Sequence, residues 1–154
     1  MCFTFTQQLK VGDKGEYLLK NHYPYPIVKS EKDLAYDFYC SALDKTIELK
    51  SDTYSIDKTP NFFMERYSDL ARDKPGGPWR ALEDKVDIFI YMFINDGIYW
   101  HFDDVPALVK RLDSIVSGLH MTKVNNTSWT TGGYRVKREL LADLATIHTI
   151  TETK

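Results

Sequence analysis

Val86 to Ile94, "VDIFIYMFI", is the most apolar run in the chain. A short aromatic and β-branched run of this kind, bounded by turn residues, predicts a central strand buried on both faces. Asn95-Asp96-Gly97 follows as a turn signal, and "IYWHF" returns as a neighbouring strand. With the order of elements along the chain, helix, several strands, short helix, strands and two helices, this predicts an α/β protein with a central mixed sheet flanked by helices.

The rest of the chain supplies those elements. "GDKGEYLLKNHY" reads as a helix from an Asp13 N-cap, with Glu16 three residues later in a capping-box position. Pro24 and Pro26 stop it. "LAYDFYCSAL" and "KTIELKSD" read as a hairpin-like strand pair, and "NFFMERY" as a third strand. "RDKPGGPW" reads as a loop, with Pro78 opening a short helix through "WRALED". Asp104 caps a helix through "VPALVKRLDSIVS" that Gly118 ends. "VNNTSWTTGGYRV" reads as a polar, turn-rich stretch, and "KRELLADLATIH" as a last helix. The 154 residues carry no linker or repeat, so one domain is expected over 1–154.

Composition excludes several classes. With 43% apolar and 27% charged residues the chain has the means for a core. A net charge of −2 gives no support to a protein that only grips nucleic acid, but it leaves room for an acidic site that takes a cation. The two cysteines, Cys2 and Cys40, have no paired spacing, and the four histidines lack the close pairing of a zinc motif. No segment approaches the roughly 20 apolar residues of a membrane span, and the first ten do not read as a signal peptide, so a cytoplasmic protein is expected.

Chemistry concentrates at "IELK". Glu-x-Lys occurs three times, at Glu48/Lys50, Glu83/Lys85 and Glu152/Lys154, but only the first alternates with apolar neighbours, Ile47 and Leu49. On a strand, Glu48 and Lys50 then point one way with Cα atoms roughly 6.6 Å apart. Asp37 lies eleven positions before Glu48, on the preceding strand, where pairing would bring the two carboxylates together. Two carboxylates and the Leu49 carbonyl make an all-oxygen set that suits Mg²⁺ or Mn²⁺.

The order of Glu16 on a first helix, Asp37 on one strand and Glu48-Leu49-Lys50 on the next resembles the PD-(D/E)xK nuclease superfamily. The likeness is to small phage-encoded and Holliday-junction-resolvase-like endonucleases, and it covers about residues 12 to 102, including "TPNFFMERYSD" and "KPGGPW". Tyr36 stands where the superfamily has a proline. The resemblance implies a restriction-endonuclease-like core and Mg²⁺-dependent hydrolysis of DNA, on branched substrates and by a homodimer. It implies Asp37 and Glu48 as metal ligands with the Leu49 carbonyl, Lys50 as the residue that activates water or steadies charge, and Glu16 as an auxiliary carboxylate. A non-enzymatic DNA-binding or interaction module on the same fold is the alternative. Lys123, Arg135, Lys137 and Arg138 gather basic charge for DNA phosphates or form a solvated basic face. Glu65 reads as a solvated strand residue or one that approaches the metal, Trp79 as core, and Gly76-Gly77 as a plain loop or a phosphate-approaching one.

Overall fold

The structure is a computed structural model that describes residues 5–31 and 34–150, with only the backbone for 5–9. Cys2, Glu152 and Lys154 lie outside the described residues.

The described elements are α1 (Phe5–His22), β1 (Val28–Lys29), β2 (Phe38–Cys40), β3 (Lys45–Asp52), β4 (Asn61–Asp69), β5 (Lys74–Pro75), α2 (Gly77–Glu83), β6 (Ile88–Phe93), β7 (Ile98–Phe102), α3 (Val105–Val116), β8 (Thr122–Asn125), β9 (Thr130–Lys137) and β10 (Ala145–Thr149). They form a six-stranded mixed sheet, in the order β1-β2-β3-β6-β7-β10, and a four-stranded antiparallel sheet, β5-β4-β9-β8. The α/β expectation therefore holds, with a second sheet added.

β6 is the strand expected from the apolar run, and every residue of it is buried. Its alternation splits the interior in two. Ile88, Ile90 and Met92 face α1, where they meet Leu18, Leu19 and Ile47. Phe89, Tyr91 and Phe93 face the other way, into a core with Phe62, Met64 and Val136 of the second sheet and Leu108 and Leu112 of α3. Each such side chain contributes about 1.5–3 kcal/mol by leaving water, which makes β6 the strand around which the rest is organised.

β3 and β6 are parallel, so the chain between them must cross over rather than turn. That crossover carries β4, β5 and α2. β2 runs antiparallel to β3 but pairs with it only over Lys45–Ile47. α1 lies close on β3: a side chain at Gly15 would come within 1.8 Å of Ser51 Oγ, so only glycine lets the helix approach that far.

Several expectations fail for identifiable reasons. α1 begins at Phe5, so Asp13 and Glu16 lie inside the helix and form no capping box. The strand expected over "LAYDFYCSAL" shrinks to Phe38–Cys40. The "KPGGPW" stretch is not all loop, since Lys74–Pro75 pairs with β4 and α2 opens at Gly77. "VNNTSWTTGGYRV" is most of a hairpin, β8–β9, and its glycines let β4 and Met121 pack close. The last helix is instead a 3₁₀ segment, Arg138–Leu144, followed by β10, which pairs with the edge of β7. There tertiary pairing overrides a helical sequence pattern.

No helix among the described residues is long and apolar enough to cross a membrane.

Candidate active site

The polar row on β3 faces the second sheet, because Glu48 and Lys50 stand beside Phe89 and Tyr91 of β6 in register. Most polar side chains of that row have a partner, as half-buried positions demand. Thr46 Oγ1 donates to Asp87 at 3.2 Å. The Tyr91 hydroxyl donates to Asp52 and accepts the Phe63 N–H at 3.0 Å, tying β3, β6 and β4 together. Lys50 Nζ lies 3.6 Å from Glu65 on β4. Glu48 is the next residue of the row and feels the negative charge of Asp37.

Asp37 sits where β2 and β3 part. Its N–H donates to the Ile47 carbonyl at 2.9 Å. Its Oδ2 then accepts the Leu49 N–H at 2.8 Å, doing the work of the strand neighbour that is no longer there. A strand residue turns its N–H and C=O to the same side, so the Leu49 carbonyl also faces the opening beside Asp37. Asp37 is thus tied to the backbone of Leu49, the residue after Glu48 on β3.

Glu48 holds its proton unusually tightly. Burial is the main cause, the negative Asp37 carboxylate beside it the next, and together they push its pKa up to about 8 against the pull of Arg80. A carboxyl raised by a like charge is one that a cation would return to the ionised state. Among the described residues no three Asp, Glu, His or Cys side chains converge. Asp37, Glu48 and the Leu49 carbonyl could offer a cation two carboxylates and a carbonyl, a set of the kind that suits Mg²⁺, which takes one or two carboxylates and keeps several waters.

Glu48, Leu49 and Lys50 line a small cleft of about 100 Å³ with Glu65, Ser68, Gly76, Gly77, Arg80 and Phe89. Several of these residues carry no clear signal of a site in the sequence. Glu65 is not a solvated strand residue: its side chain is 18% exposed and pairs with Lys50. Arg80 comes from α2 and also pairs with Asp84 at 3.4 Å. Gly76 and Gly77 are there for Glu65, since side chains on them would meet its Cγ and its carbonyl oxygen at 2.7 Å, and Gly77 has φ +49°. Trp79 is core, its indole N–H donating to Asp113 at 2.9 Å.

Glu16 reaches the site only through Lys29. Lys29 Nζ is 2.5 Å from Glu16 Oε1 and 3.8 Å from Asp37 Oδ1. Lys29 lies on a two-residue strand after a Pro-rich turn, a pattern with no recognisable signal in the sequence.

The four basic residues do not gather on one face. Lys123 pairs with Gly132, three positions from Arg135 on β9, so strand alternation puts it on the opposite face from Arg135 and Lys137. Lys123, Arg135 and Lys137 are exposed. Arg138 is turned inward: its guanidinium donates to the carbonyls of Ile56 at 3.0 Å, Asn61 at 3.3 Å and Thr59, and lies over the Phe93 ring. It braces the loop before β4 against the core.

No family model, no curated protein and no solved structure matches this chain.

Proposed function

We propose that the chain is a divalent-metal-dependent endonuclease that hydrolyses DNA phosphodiester bonds, with a restriction-endonuclease-like core of the PD-(D/E)xK type. The observation that carries the reading is the Asp37 carboxylate on the Leu49 N–H at 2.8 Å, where β2 leaves β3, which sets it beside the strand of Glu48 and Lys50, with its charge raising the pKa of Glu48 after burial. The element order supports it: a helix bearing Glu16, a strand led by Asp37, then the strand of Glu48, Leu49 and Lys50.

In this reading Asp37, Glu48 and the Leu49 carbonyl would hold Mg²⁺ or Mn²⁺. The bound ion would polarise the phosphoryl oxygen and lower the pKa of a water for attack. Lys50, held toward Glu65, steadies the negative oxygens of the phosphate as water adds to phosphorus and the bond to the 3′ oxygen breaks. Its pairing with Glu65 favours this charge-steadying role over proton abstraction. A 5′-phosphate is the product expected from the resemblance. Arg135 and Lys137, on one face of β9, are candidates for phosphate contacts that lie away from the reaction. Branched DNA, a two-fold dimer and a cytoplasmic location complete the proposal, the last in keeping with the free thiol of Cys40.

The test is incubation of wild type and Glu48→Gln with linear, nicked, flapped and four-way DNA in Mg²⁺. Cleavage by wild type alone supports the reading. Binding without cleavage on every form supports instead an interaction module that keeps the fold.

A further inference from the structure

The position of Lys29 bears on how many ions such a site takes, and the inference rests on the nuclease reading above. Three observations fix its ammonium. The β1–β2 register sets Lys29 opposite Phe38, and the Ser30 N–H donates to the Asp37 carbonyl at 2.8 Å. The ammonium lies over the Phe38 ring, 5.5 Å from its centroid. It spans the gap between Glu16, 2.5 Å away, and the Oδ1 of Asp37, 3.8 Å away. Glu16 is aimed at this point by α1, which Gly15 allows to lie close on β3.

We infer that the Lys29 ammonium occupies the seat of a second divalent cation between Glu16 and Asp37, so that the site takes a single ion. A divalent ion in that gap would need both carboxylates at about 2.0–2.1 Å. Glu16 is already engaged by the ammonium, and a second cation would sit against a like charge only a few ångströms away. Glu16 is then a positioning residue that acts through Lys29. Its auxiliary role is to hold a built-in cation beside Asp37 rather than to ligate a metal.

The test counts Mn²⁺ ions bound per full-length chain by equilibrium dialysis, with folding of each variant checked by circular dichroism. Wild type is expected to bind one. Lys29→Met and Lys29→Gln, which empty the seat and leave Glu16 facing Asp37, are expected to bind two. Adding Glu16→Gln to either is expected to return the count to one. Two ions on wild type, or one on both folded Lys29 variants, would overturn the inference while leaving the nuclease reading standing. If both Lys29 variants fail to fold, the wild-type count decides: one ion keeps the inference and two overturns it. No ion on wild type would overturn the nuclease reading itself, and the inference with it.

Discussion

Asp37 completes the sheet for Leu49: the Asp37 carboxylate accepts the Leu49 N–H at 2.8 Å, two residues beyond Ile47, the last residue of β3 that pairs with β2. One carboxylate oxygen thereby fixes the strand end, while the other remains toward Lys29 and the opening. The same side chain sets the backbone of the site and contributes to its charge. Its charge also bears on Glu48, whose pKa is raised first by burial and next by Asp37.

The raised pKa of Glu48 makes stability fall with pH. The folded chain keeps this proton until about pH 8, whereas an unfolded glutamate loses it near its ordinary 4.5. Between those values the folded state binds more protons, so its stability declines as pH rises, by on the order of a few kcal/mol in total. Urea unfolding in EDTA at pH 5 and pH 8 should show this decline in wild type. Glu48→Gln should show much less of it. Adding Mg²⁺ at pH 8 should restore stability to wild type and do little for the variant.

Glu65 is predicted to work through Lys50. Glu65→Gln keeps the shape and removes the charge that holds the Lys50 ammonium, 3.6 Å away. The expected result is a drop in kcat of roughly 10-fold or more with KM for DNA little changed, as befits an interaction that matters in the transition state. Stability should change by about 1 kcal/mol or less, the scale of a partly exposed ion pair. An unchanged kcat would remove Glu65 from the site.

Arg138 is predicted to matter for folding rather than for DNA. Arg138→Ala strips three carbonyls of their donor and should cost about 2–3 kcal/mol in urea unfolding. Arg135→Ala and Lys137→Ala should leave stability within about 0.5 kcal/mol. Under the nuclease reading, each should also lower the salt dependence of DNA binding by about one phosphate contact.

Gly77→Ala should be costly although the residue opens a helix. An alanine at φ +49° is strained, and its Cβ would lie 2.7 Å from the Glu65 carbonyl oxygen. A loss of about 1–3 kcal/mol is expected, and because β4 must shift, kcat should fall with it. Retention of both stability and kcat would contradict the tight seating of Glu65 on the glycine pair.

What the sequence made legible follows from how local each signal is. β3 and β6 were readable because alternation and an unbroken apolar run are properties of a few adjacent residues. Asp37 and Glu48 could be matched because a short turn joins their strands. Glu65, Arg80 and Lys29 could not, because their roles depend on crossover and edge geometry. β4 pairs with β9 some seventy residues away rather than with β3, and nothing in "NFFMERY" announces that partner. β10 reads as helix in the sequence because its pairing with β7 is equally remote. Arg138 reads as a ligand in the sequence because its three carbonyl partners, from Ile56 to the first residue of β4, lie far away in the chain.

The most direct measurement is Mg²⁺-dependent cleavage of the linear, nicked, flapped and four-way DNA panel by wild type, Asp37→Asn and Glu48→Gln, each checked for folding. The account predicts cleavage of at least one form by wild type, abolished by EDTA, with both folded variants reduced by 100-fold or more. Equal cleavage by wild type and Glu48→Gln, or no cleavage of any form by wild type in Mg²⁺ or Mn²⁺, would contradict it.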